Sequence, residues 1–242
     1  MQFRHRWFAG ALLAGAALVV VTGVGTESLL AAEAPAVTPK AALGTKPPAG
    51  AIALIPQAPG KEPALDHWNK AWKASPEGYV TAGGGDIVTR GEFGSMRLHV
   101  EFWIPPGPQG KRASHGGNSG VYIMDRYEVQ ILDSHGQKPQ AGGCGGIYRR
   151  IPPKVNAALP AGRWQSYDIA FHAPRFDAAG KKVRPVHITV VHNGITVHDD
   201  QEVPGPTGQA SGKKEVAKAP LRLQDHGCPV RFRNVWLLPL EE

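Results

Sequence analysis

Cysteine is scarce: the 242 residues hold two, Cys144 and Cys228. Two cysteines cannot staple a disulfide-dense mini-scaffold, and no CxxC or CxxH spacing offers a structural zinc site. Charge of one sign is not gathered anywhere. The 27 Lys and Arg against 20 Asp and Glu give a net +7, but the pairs Arg149-Arg150 and Lys213-Lys214 read as solvated loops. Nucleic acid is therefore not an expected partner, since such binding needs a clustered basic face. Two nucleotide and hydrolase signatures are missing as well. Gly83-Gly84-Gly85 lacks the GxGxxG spacing and the helix that follows it, and Gly117-Asn118-Ser119-Gly120 is not a GxSxG elbow. No internal repeat and no amphipathic helix stands out.

One long apolar run is present, and it lies at the N-terminus. Arg4, His5 and Arg6 precede an apolar stretch over 7–24, and the small residues around Ala31, Ala32 and Ala34 follow. A basic head, an apolar middle and a small-residue cleavage zone describe a signal peptide over 1–34, with an uncleaved membrane anchor as the alternative. The expected location is periplasmic or extracellular, without stable membrane insertion once the signal is removed. In such a compartment Cys144 and Cys228 could bond, and the sequence leaves a disulfide and two buried thiols both open.

Residues 35–63 carry seven prolines and no apolar periodicity, so they read as a linker or lead-in, with the folded domain over 64–242. A short helical turn is expected over 65–73, before Pro76. Glycine and proline, at 30 and 22, favour many turns over long helices. From Ile87 onward the period is two. Met96, Leu98, Val100 and Phe102 point one way, and Arg97, His99, Glu101 and Trp103 the other. Runs over 119–124 and 127–132 flank a turn at Asp125-Arg126. Runs over 164–172 and 186–192 follow, and Asn193-Gly194 is a strong hairpin signal. Runs over 220–224 and 230–238 close the chain, after a Gly/Pro/Lys-rich loop over 204–219. The expected fold is all-β, an antiparallel sandwich or jelly roll.

The same alternation suggests a site. Glu128 and Gln130 share one strand face, opposite Tyr127, Val129 and Ile131. A carboxylate and an amide on one face of an apolar strand are costly unless that face is wet or fully paired. Similar polar rows are His99 with Glu101, Arg222 with Gln224 and His226, and Asn118 with Gly120 and Tyr122. Four such rows suggest one cleft able to hold sugar hydroxyls, with Trp68, Trp103, Tyr122, Tyr148 and Trp164 available as rings. Glu101, Glu128, Asp133, His99 and His226 are also ligand types for a divalent metal ion, but their spacing demands none.

Several segments resemble the 3-keto-disaccharide hydrolase-like domain family. They are Gly84-Gly85-Asp86, Leu98-His99-Val100-Glu101-Phe102, Gly117-Asn118-Ser119-Gly120-Val121-Tyr122 and Tyr127-Glu128-Val129-Gln130-Ile131-Leu132-Asp133. Trp164-Gln165-Ser166-Tyr167-Asp168, His192-Asn193-Gly194, Leu223-Gln224-Asp225-His226-Gly227 and Arg231-Phe232-Arg233-Asn234 complete the set. The resemblance covers most of 65–240. It implies a concanavalin A-like lectin/glucanase-type fold and cleavage of glycosides, such as a 3-keto-disaccharide, whose sugar carries a ketone at C3. Such chemistry needs a base at C2 and a donor or cation at the developing enolate oxygen. On that reading Glu128 and His226 are the candidate catalytic residues. Glu101, Asn118, Tyr122, Gln130, Asp133, Arg149, Gln224 and Asp225 are the candidate substrate contacts, with Arg149 at the enolate. Two alternatives stay open. Glu128-x-Gln130-x-x-Asp133 echoes a two-carboxylate retaining glycosidase, with the middle acid replaced by an amide. A non-catalytic carbohydrate-binding module is the other, since fold alone confers no activity.

Overall fold

The computed structural model describes residues 38–108 and 114–241. The signal segment expected over 1–34 lies outside the described residues. The described chain is all β with short 3-10 turns, and every strand pairing is antiparallel. In chain order the strands are β1 (Ile52–Ile55), β2 (Lys73–Ser75), β3 (Tyr79–Thr81), β4 (Ile87–Val88), β5 (Met96–Trp103), β6 (Ser119–Ile123) and β7 (Tyr127–Ile131). They continue as β8 (Trp164–His172), β9 (Arg175–Phe176), β10 (Lys182–Arg184), β11 (Val186–His192), β12 (Ile195–Val203), β13 (Arg222–Leu223) and β14 (Arg231–Pro239).

Two sheets form the sandwich. The larger runs β12-β11-β8-β5-β14-β3-β2, with β1 also paired to β14, and the smaller runs β4-β13-β6-β7. The expected period-two faces decide what lies between them. Met96, Leu98, Val100 and Phe102 face inward from β5 and meet Val121, Ile123, Val129, Ile131 and Leu223 of the smaller sheet, all at most 1% exposed. Tyr167 reaches across the core from β8 and donates to the Gln130 carbonyl of β7 at 2.6 Å. That bond satisfies a hydroxyl which burial alone would leave costly.

The Asn193-Gly194 hairpin forms as expected, with both residues at positive φ and His192 paired to Ile195. The β6–β7 turn sits one residue earlier than Asp125-Arg126. Met124 and Asp125 take φ of 54° and 50°, and Arg126 N–H closes the turn on the Ile123 carbonyl at 3.1 Å. The helical turn expected over 65–73 is instead a turn ending in a bridge between Trp68 and Thr89. The stretch 35–63 is also more than a linker. Its residues Ile52–Ile55 form β1, and residues 40–45 strap the outer face of the larger sheet.

That strap covers a buried charge cluster. Glu101 is fully buried and accepts from Gly44 N–H at 2.6 Å, Asn234 at 2.8 Å and Arg233 at 2.8 Å, while His99 lies between Glu101 and Asp168. The polar row His99–Glu101 therefore belongs to the larger sheet and not to a cleft shared with Glu128. Burial pushes the Glu101 carboxyl up, but His99 beside it and hydrogen bonds from Asn234, Gly44 and Arg233 outweigh it and hold the group at about 2. Cys144 and Cys228 are two buried free thiols. They do not bridge: Cys144 Sγ lies 3.1 Å from Tyr167 Oη inside the core, and burial raises its pKa to about 11.

Glu101→Gln should lower the stability of the full chain by about 3–5 kcal/mol, because one partner of a buried ion cluster is removed. The Glu101 contribution is fully present above the ordinary carboxylate value. It should be lost as pH falls from about 4.5 to about 2, since its folded pKa is depressed. Urea unfolding of wild type and variant at pH 7 and at pH 3 checks both, and equal stabilities at pH 7 would refute the claim.

Candidate functional site

The smaller sheet turns one face to the core and the other outward. Its registers set the outward row. Tyr122 of β6 is paired on one side with Glu128 of β7 and on the other with Arg222 of β13, while Gly120 is paired with Gln130. Gln224 continues the β13 row, its N–H donating to the Gly120 carbonyl at 3.0 Å. Loops then close over this face. Residues 145–148 pair along the free edge of β7, where Tyr148 N–H donates to the Glu128 carbonyl at 3.0 Å. From the loop after β12, Thr207 Oγ1 accepts the Glu128 N–H at 2.8 Å.

The result is a cavity of about 300 Å³ lined by Asn118, Tyr122, Glu128, Tyr148, Arg149, Gly208, Gln209, Gln224 and His226. Both candidate catalytic residues line it, with Asn118, Tyr122, Arg149 and Gln224. Gln130 adjoins it, donating from Nε2 to Asn118 Oδ1 at 3.3 Å. Glu101 does not line it, for the reason given above. Asp133 is not among the lining residues, and Asp225 spends both carboxylate oxygens on the backbone N–H groups of Gly85 and Gly227. A larger surface groove of about 1100 Å³ lies between Phe93, Phe176 and Leu238, but its charged residues Glu92, Arg175, Lys218 and Glu241 are all exposed. The smaller cavity is where buried titratable chemistry sits.

Space for Glu128 comes from two glycines. A Cβ at position 120 would overlap Glu128 Oε1, and one at 208 would come within 2.9 Å of Oε2 and 2.8 Å of the Tyr148 ring. Glu128 is 2% exposed. Burial pushes its carboxyl up to about 7. Tyr122, Arg222 and Arg149 pull it down, and Asp86 adds to the rise. Its Oε2, with Oε1 of Gln130 and Oε1 of Gln224, is a buried acceptor without a donor. Three orphaned acceptors on one sheet face fit a ligand that brings hydroxyl donors, as a sugar does. Tyr148, half-buried, is the ring at the wall.

Among the described residues, no three His, Cys, Asp or Glu side chains come together as a cation-binding group, and the cavity itself offers Glu128 and His226. Sequence reasoning does not single out Gly208 and Gln209. They come from the loop over 204–219, whose composition carries no signal of a site.

An unpaired carboxylate in a buried place destabilises the fold once ionised. The Glu128 folded pKa lies above the ordinary value, so the penalty is absent below about 4.5, grows as pH rises from about 4.5 to about 7 and is complete above that. Glu128→Gln should therefore raise Tm at pH 8.5 by a few degrees and leave it nearly unchanged at pH 4. Calorimetry at both pH values tests this, and a variant less stable than wild type at pH 8.5 would contradict it.

The family model for a 3-keto-alpha-glucoside-1,2-lyase-like domain matches residues 51–238. No curated protein matches the chain. Among solved structures, a candidate glycosyl hydrolase from Parabacteroides distasonis ATCC 8503 is 31% identical. It aligns over 86% of this chain and 92% of its own, with a TM-score of 0.71. Two further candidate glycosyl hydrolases from the same organism share the fold. One is 21% identical with a TM-score of 0.54, over 78% of this chain and 99% of its own. The other is 17% identical with a TM-score of 0.56, over 79% and 95%. With most of the sandwich inside the matched span, the chain belongs to the 3-keto-alpha-glucoside-1,2-lyase-like domain family.

Proposed function

We propose that this protein is an exported enzyme that cleaves the glycosidic bond of 3-keto-glycosides by C2 proton abstraction and elimination. One observation carries the reading. The cavity has a single carboxylate among its described lining residues, Glu128, and that group is buried and poised near neutral pH. An elimination needs one base. A two-carboxylate glycosidase needs a second acid about 5–9.5 Å from the first, and Asp133 is not part of the lining. A binding module has no use for a carboxyl with a shifted pKa. The basic and apolar N-terminal segment supports export, to the periplasm or beyond.

The chemistry follows from the sugar. A C3 ketone acidifies the C2 proton. Glu128, ionised, takes that proton, and the C–H electron pair forms the enolate between C2 and C3. The C1–O bond then breaks, the C1–C2 double bond forms and the ketone returns. His226, at the cavity wall, protonates the departing oxygen. Arg149 is the cation for the enolate oxygen, and Asn118, Gln130 and Gln224 hold the sugar hydroxyls. A divalent ion, where bound, would supply the same electrophilic help as Arg149. Release of the unsaturated sugar makes the reaction a lyase, and addition of water at C1 makes it net hydrolysis.

The test is product analysis by mass spectrometry with a 3-keto-glucoside and its unoxidised parent, with and without chelator. Cleavage of the keto form alone is expected, and cleavage of the parent would instead indicate an ordinary glycosidase. Glu128→Gln should lower kcat by about 10²–10⁴-fold, as loss of a general base does. Full activity in that variant would remove Glu128 from the mechanism. Because the base works ionised, kcat/KM should fall as pH drops below about 7, the value to which burial raises Glu128. A profile flat from pH 5 to 8 would contradict the assignment.

A further inference from the structure

The two groups assigned to the chemistry stand on distant pieces of chain. Glu128 is on β7, and His226 follows β13 in an exposed turn. Something must fix their separation, since misplacement by about 1 Å can cost about 100-fold in rate. One side chain touches the supports of both. Asp86 precedes β4, the strand beside β13. Its Oδ2 accepts from Arg222 Nη1 at 2.6 Å, and its Oδ1 accepts the backbone N–H of Asp225 at 2.8 Å. We propose that Asp86 is the positioning residue of this site, holding Glu128 through Arg222 and Tyr122 with one oxygen and His226 through the Asp225 backbone with the other.

The first arm runs along the sheet. The Arg222 guanidinium lies 3.6 Å over the Tyr122 ring, and Asp125 Oδ1 stands 2.6 Å from Arg222 Nε. A cation held by ion pairs to two carboxylates and seated on an aromatic ring leaves Tyr122 little freedom. Tyr122 is in register with Glu128, and both side chains line the same cavity, where Tyr122 holds the Glu128 carboxyl down against the rise from burial. The second arm is a reciprocal lock. Asp86 takes the Asp225 N–H, and Asp225 Oδ2 takes the Gly85 N–H at 2.8 Å. Gly84 and Gly85 have φ of 78° and 88°, a left-handed path that a residue with a Cβ would enter under strain. The Gly84-Gly85-Asp86 segment thus ties the start of β4 to the turn that carries His226.

This inference rests on the roles proposed for Glu128 and His226, and its test separates the two claims. Asp86→Asn keeps a carbonyl for the Asp225 N–H and loses the second acceptor for Arg222. Asp86→Ala loses both. With the 3-keto-glucoside, Asp86→Asn should lower kcat about 10-fold and Asp86→Ala about 100-fold, with KM changed less than about threefold. By hydrogen exchange, the Asp225 amide should lose protection in Asp86→Ala and keep it in Asp86→Asn, while Val121 and Val129 amides stay protected in both. Wild-type kcat in Asp86→Ala, or a protected Asp225 amide there, overturns the proposal. A fall in Val121 and Val129 protection together with kcat overturns it too, since Asp86 would then act on the whole sheet. If wild type turns over no keto-glycoside, the functional reading fails and exchange at Asp225 still decides the second arm. The Tyr122 ring shift in NMR, expected to move in both variants, then decides the first.

Discussion

Everything at the site depends on the register of a small antiparallel sheet. Side chains alternate along β6, β7 and β13, so Val121, Val129 and Leu223 point to the core while Tyr122, Glu128 and Arg222 point away from it. A one-residue slip of β7 would drive Glu128 into the core and lift Val129 out of it. The hydrophobic effect thus fixes the position of a carboxylate that contributes nothing to it. The inward row is the larger energetic term, and the outward row inherits its geometry.

The molecule contains two buried glutamates with opposite characters. Glu101 has donors from two chain segments, the strap and β14, and is held ionised, at about 2. Glu128 has few, and burial lifts it to about 7. Both sit on strands of the same pattern. The difference lies in what surrounds each carboxylate: the Gly44 N–H of the strap with Arg233 and Asn234 of β14 around Glu101, a roomy cavity over Glu128. One arrangement serves stability, the other leaves a group whose charge responds to neutral pH.

This contrast also marks how far the sequence can be read. Alternation is local, so the strands, the Asn193-Gly194 turn and the polar rows of β6, β7 and β13 are legible. Assignment of a strand to a sheet is not local. The polar row of β5 looks like that of β7, and nothing in the spacing of His99 and Glu101 says that they face residues 42–45 and Arg233. The strap itself resembles a lead-in because its contacts are single hydrogen bonds to distant strands, without apolar periodicity. Gly208 and Gln209 escape for a related reason: they reach Glu128 through a loop about 80 residues downstream.

The cavity is made largely of missing atoms. Gly120 and Gly208 leave the two volumes into which the Glu128 oxygens fit, and neither residue carries a reactive group. A methyl at either place would press on the carboxylate without altering a charge, a donor or an acceptor anywhere in the chain. Among relatives of this sandwich, the identity of these two positions therefore separates chains with room for an acid at the floor from chains that have closed it, even where Glu128 itself is retained.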